Sequence, residues 1–126
     1  MPLISFNILI MPGDLSMSYL YAFADNDISF VKEILDLMDK NIPTDFENIE
    51  KAIASNNLDA VRRSAHHMKS SIQYSDYLEL SDFLSSIETK QDSPNTIAEI
   101  KGMLPQLEKL LDNLVEVIQA EKKKIA

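Results

Sequence analysis

The sequence contains no cysteine, only two glycines and only two histidines among 126 residues. Without cysteine there are no disulfides, no thiolate nucleophile and no thiolate metal site. With so little glycine there is no phosphate-cradling loop and no Gly-x-Ser-x-Gly elbow, and the histidines are not spaced as His-Glu-x-x-His. Basic residues are few beside acidic ones, 12 against 20, which leaves a net charge of −8. That balance argues against binding to nucleic acid or to an anionic membrane surface. The most apolar stretch, Met1 to Met11, has no basic leading segment and no small-residue cleavage site, and it is too short to span a bilayer as a helix. Residues 1–13 therefore read as an apolar N-terminal arm, and a cytoplasmic location is the expectation.

What the chain does have is helical periodicity over a globular composition, 45% apolar and 25% charged, in a length suited to one domain. That domain is expected over residues 14–124. A short first helix starts near Asp14 or Ser16, carries Leu20, Tyr21 and Phe23, and stops at Asp25-Asn26. A second opens on Asp27 as N-cap and steps through Val31, Leu35, Met38, Ile42, Phe46, Ile49 and Ile53. Pro43 interrupts it, and Thr44 with Glu47 resembles a capping box for a fresh start, but the stripe crosses without losing phase. One kinked helix is the expectation. A third helix runs from Leu58 to Tyr74 on Leu58, Val61, Ala65, Met68 and Ile72. A fourth carries Leu78, Leu80, Phe83, Leu84 and Ile87. After a polar loop, Ser93 as N-cap and Pro94 as first helical residue open a last helix. It runs on Ile97, Ile100, Leu104, Leu107, Leu111, Leu114 and Ile118, kinked at Pro105. Lys122-Lys123-Lys124 suits its C-terminal dipole. The fold class is all-α: an antiparallel four-helix bundle with a short additional N-terminal helix.

Acidic pairs such as Asp36/Asp39 and Glu47/Glu50 have no histidine companion at helical spacing, so no metal site is expected. His66 and His67 are adjacent, and neighbours on a helix point roughly 100° apart, so the two cannot readily chelate one ion. They stand in Arg62-Arg63-Ser64-Ala65-His66-His67-Met68-Lys69-Ser70-Ser71, a basic stretch in an acidic chain. The two rings fall on opposite flanks of the core stripe. His66 shares its side with Arg62, Lys69, Ser70 and Gln73, and His67 with Arg63, Ser71 and Tyr74.

This segment resembles the histidine-containing phosphotransfer (HPt) domain of multistep two-component phosphorelays. That family's motif runs Ala-His, a variable residue, an aliphatic residue or methionine, Lys, then a small residue, and Ala65-His66-His67-Met68-Lys69-Ser70 matches it position by position. Asp27 to Ile53, with its central proline, is similar to the helix before the motif, and Leu78 to Glu88 to the helix after it. The resemblance covers about residues 14 to 120, mainly as hydrophobic pattern outside the histidine segment. The chain departs from the family at Ser70 and Asp76, where glycine is frequent.

The resemblance implies that His66 is the phosphoacceptor and that Lys69 stabilises the phosphoryl group. A neutral imidazole is a competent nucleophile, and the flanking cations Arg62 and Lys69 favour that form and later the loaded phosphate. Receiver docking is expected around Arg62, Ser70 and Gln73, with an apolar contribution from the first helix through Leu20. The implied partners are response-regulator receiver domains and a hybrid sensor histidine kinase. The receiver brings the acidic pocket and Mg2+, so the chain carries no cofactor of its own and is a carrier rather than an enzyme. The alternative is a helical protein–protein interaction module without phosphate chemistry. A metal-binding bundle would need its histidines in the core, and a kinase dimerisation segment would need an adjoining ATP-binding domain.

Overall fold

The structure, a computed structural model, describes residues 15–126. Five α-helices follow one another: α1 Ser18–Phe23, α2 Ile28–Ala54, α3 Leu58–Ser71, α4 Leu78–Glu88 and α5 Thr96–Lys124. Helices α2 to α5 pack in cyclic order, α5 closing against α2, while α1 lies across α2 and the turn that follows α3. This is the antiparallel four-helix bundle with a short extra N-terminal helix. The apolar arm expected over residues 1–13 lies outside the described residues.

Apolar stripes explain the packing. Leu35, Met38 and Ile49 of α2, Met68 of α3, Leu80, Leu84 and Ile87 of α4, and Ile100 and Leu107 of α5 are all essentially without solvent contact. Burying each such side chain contributes about 1.5–3 kcal/mol. Helix α2 is capped by Asp27, whose carboxylate accepts from the Phe30 amide, and α3 by Asn57, whose side-chain oxygen accepts from the Ala60 amide. Both long helices run unbroken through Pro43 and Pro105. Each proline sits on the exposed face, where water can serve the carbonyl that the missing N–H leaves free. The restart suggested by Thr44 and Glu47 is not made; Glu47 instead pairs with Lys51 at 3.9 Å.

Scarce glycine leaves its mark in the turns. Asp25, Asn26, Asn56 and Asp76 all have left-handed backbones, with φ between 53° and 61°. These are the non-glycine residues that tolerate that region best, and they reverse the chain where glycine otherwise would. Asp76, where the resembling family often has glycine, is one of them (φ 58°, ψ 21°).

Four expectations need correction. Helix α3 ends at Ser71, not Tyr74, and Gln73–Ser75 form a 3-10 turn tied by the buried Ser75 hydroxyl donating to the Ile72 carbonyl at 2.7 Å. Helix α5 starts at Thr96, because the buried Thr96 hydroxyl donates to the Gln91 carbonyl at 2.7 Å and accepts from the Ser93 amide, so the chain around Pro94 is a turn. Leu78 is 56% exposed, standing at the first position of α4 before the core stripe begins. In α2 the buried position is Asp45, 3% exposed, while Phe46 is only half-buried. The lysine run does more than complement the helix dipole: Lys122 bridges Asp36 at 2.9 Å and Asp39 at 3.1 Å, tying the end of α5 to α2.

Candidate functional site

Helix α3 turns Val61, Ala65 and Met68 fully into the core. Its neighbouring residues 66 and 67 must then leave the core on either side, one towards α4 and one towards α2. Both imidazoles are turned out to solvent, with side chains 65% exposed at His66 and 67% at His67. A core metal site built on histidine is therefore not formed, and among the described residues no cluster of three histidine or acidic side chains is placed to hold a metal ion.

On the α4 side, the Nδ1 of His66 lies 2.7 Å from Oε2 of Glu88. A carboxylate only accepts, so Nδ1 is the donor in this bond and Nε2 is left outside it. The Lys69 ammonium, one turn on, donates to the other oxygen of the same carboxylate at 2.9 Å and to the Ser85 hydroxyl at 3.1 Å. The hydrogen bond from Lys69, reinforced by the one from His66, outweighs partial burial and holds the Glu88 carboxyl below its ordinary value of 4.5. Glu88 thus bridges the imidazole and the ammonium from below. The flank that reads as purely basic in sequence contains a carboxylate brought in by α4, so the two cations do not act on His66 alone.

His66, Lys69, Ser70 and Gln73 line one open depression, together with Tyr77, Leu78 and Ser81. Arg62 is set apart from it. Its guanidinium donates to the Lys90 carbonyl, anchoring α3 to the connection between α4 and α5, and it borders an adjoining hollow that takes in His66 and Ser70 as well as Arg63, His67 and Glu88. Leu20, expected to offer apolar surface to a partner, is completely buried. The exposed face of α1 is instead Tyr19 and Phe23, 46% and 50% exposed. Their rings stack on each other at a centroid distance of 6.2 Å, and Tyr74 stacks on Tyr19 at 6.5 Å and packs tilted against Phe23 at 5.0 Å. Helix α1 is one turn and a half long, so its core-facing residue and its surface residues are separated only by packing, which a six-residue pattern does not specify.

On the α2 side, Nδ1 of His67 lies 2.8 Å from Oδ1 of buried Asp45, and the Ser71 hydroxyl donates to Oδ2 at 2.8 Å. Sequence reasoning missed three residues: Glu88, Ser85 and Asp45. The first two stand 22 and 16 positions from the groups they contact, with no local signal. For Asp45 a signal existed: the steps Ile42–45–49 and Ile42–46–49 fit a helix equally well, and hydrophobicity alone chose Phe46.

A model of the Hpt domain family matches residues 33–119. No curated protein and no solved structure matches the chain. With more than half of its length matched, and the Ala65-to-Ser70 segment presented on the third helix of the bundle, the chain belongs to the Hpt domain family, whose role is histidine phosphotransfer in phosphorelays as an intermediate and not as an autonomous enzyme.

Proposed function

We propose that His66 is the phosphoacceptor, loaded from the aspartyl phosphate of one receiver domain and discharged to the aspartate of another. The single observation that carries the reading is the state of the His66 ring: exposed, with Nδ1 donating to a Glu88 carboxylate whose other oxygen is held by Lys69. Nε2 attacks phosphorus, the N–P bond forms, and the P–O bond to the receiver breaks with its electron pair leaving on the receiver's carboxylate. Nδ1 keeps its proton throughout. The ring becomes cationic as the bond forms, and Glu88 stabilises that charge as a carboxylate behind an imidazole does. Lys69 then turns from Glu88 to the phosphoryl oxygens, where a charge-assisted hydrogen bond is strong. Discharge is the same sequence reversed. Little covalent work is asked of the carrier, since positioning and charge dominate phosphoryl transfer.

The receiver supplies the acidic pocket and Mg2+. It docks on the depression of His66, Ser70 and Gln73 and on the aromatic patch of Tyr19, Phe23 and Tyr74, with Arg62 bordering the contact. The partners are response-regulator receivers, the first of them belonging to a hybrid sensor histidine kinase, and the acting unit is residues 14–124. The setting is cytoplasmic; among the described residues no helix is long and apolar enough to cross a membrane.

The test is incubation with a phosphorylated receiver and Mg2+. Alkali-stable, acid-labile phosphate appears on the protein, is abolished by His66→Ala and persists in His67→Ala. Labelling that survives loss of His66 overturns the assignment, and the absence of any label with every receiver tried favours an interaction module without phosphate chemistry.

A further inference from the structure

Nothing in the proposed transfer uses Asp45, yet it is a carboxylate 3% exposed in the middle of a bundle helix. Such a group is retained at a desolvation cost unless its oxygens are satisfied, and here both are: Oδ1 by His67 and Oδ2 by Ser71, both from α3. The arrangement mirrors the other flank. Glu88 of α4 takes residues 66 and 69 of α3, and Asp45 of α2 takes residues 67 and 71. Helix α3 is therefore held between two carboxylates that grip adjacent imidazoles from opposite sides.

Apolar contacts are not directional. The stripe Val61, Ala65 and Met68, with the small Ala65 at the level of the histidines, fixes which face of α3 is inward but resists a small roll about the helix axis weakly. Hydrogen bonds of 2.7 and 2.8 Å do resist it, because their strength falls steeply with distance and angle. We infer that His67, anchored on Asp45, is a positioning residue: it sets the roll of α3 so that the His66 ring stays on Glu88 with Nε2 presented to the incoming phosphoryl group. The inference rests on His66 being the acceptor. The Ser71 hydroxyl supports the same carboxylate and does not contact the His67 ring through a hydrogen bond, so the trio is not a nucleophile–base relay.

The experiment compares His67→Ala, His67→Asn and Asp45→Asn for the rate of receiver-driven labelling at saturating receiver, together with the nitrogen NMR signature of the His66 tautomer in the isolated protein. Asn at 67 places an amide N–H near the position of Nδ1 and can still donate to Asp45. Loss of positioning at a reacting atom costs on the order of tenfold or more in rate. Labelling in His67→Ala and Asp45→Asn therefore slows about tenfold, the Nδ1–H signature of His66 weakens in both, and His67→Asn restores rate and signature. Unchanged rates in the first two variants overturn the inference, as does a His67→Asn protein as slow as His67→Ala. A fall in thermal stability with the His66 signature intact also overturns it, since the clasp is then structural only. Because His67 is on the surface, its variants report even if Asp45→Asn does not fold. None of these outcomes bears on whether His66→Ala abolishes labelling, so failure of the clasp and failure of the acceptor assignment are read separately.

Discussion

The two flanks of α3 carry the same parts to different ends. Each presents an imidazole about two-thirds exposed, each ring gives Nδ1 to a carboxylate from a neighbouring helix, and the distances differ by 0.1 Å. What differs is the carboxylate and its second partner. Glu88 is 24% exposed and shares itself with Lys69, a long, flexible cation that can be redirected. Asp45 is buried and shares itself with Ser71, a short hydroxyl of the same helix as His67. A carboxylate at the surface with a mobile cation suits a charge that arrives and departs, whereas one in the interior with fixed donors suits a joint. The local chemistry of two histidines is thus divided by burial and by second partner, not by the rings.

The comparison is broken most strongly by removing the redirectable cation. Lys69→Met keeps the apolar stem and lowers the rate of receiver-driven labelling about 10–100-fold, the worth of one hydrogen bond to a charged group. Arg63→Met, beside the other ring, stays within about threefold, because no developing phosphoryl charge lies on that side; rapid-quench labelling checks both. Next in size is the turn beneath the reactive flank. Asp76→Ala puts a residue without a local hydrogen-bonding side chain into a left-handed backbone and lowers unfolding free energy by about 1–2 kcal/mol, while Asp76→Gly holds it level, as urea titration would show. On the locked flank, Ser71→Ala removes one of two partners from a buried carboxylate and costs about 1 kcal/mol in the same titration.

The smallest effect sharpens the electrostatic side of the comparison. Glu88 has its folded-state pKa depressed, chiefly by Lys69, so its contribution to stability is present above the ordinary value of 4.5 and is lost as pH falls through the lower folded value. Melting temperatures of the parent and of Glu88→Gln therefore differ at neutral pH and converge below pH 4.5. A difference that stays constant down to that range would show that the carboxylate charge contributes nothing.

Much of this was legible without coordinates. The stripes of α2 and α5 cross their prolines in phase, and the helices do too, because a periodic apolar face is kept in register by one continuous helix. Asp27 marks a helix start that its side chain does cap. The partition of His66 and His67 to opposite flanks follows from 3.6 residues per turn once Ala65 and Met68 face inward. Errors fall where periodicity has no leverage. At helix ends a single hydroxyl, of Ser75 or Thr96, overrides the pattern; in the short α1, Leu20 is buried and Tyr19 and Phe23 provide the exposed surface expected of it; at position 45 an acid takes a core place that an adjacent phenylalanine fits equally by spacing.

By itself the sequence determined the bundle, the exposure of two adjacent imidazoles and the placing of Lys69 one turn beyond His66, since all of these depend on residues within a few positions of one another on a regular helix. Only the tertiary structure decided that Glu88 joins His66 to Lys69 and that Asp45 holds His67 from the other side. Both carboxylates stand 22 positions away along the chain. Hydrogen bonds act over about 3 Å, so partners that distant are chosen by how helices pack and not by any pattern within one of them.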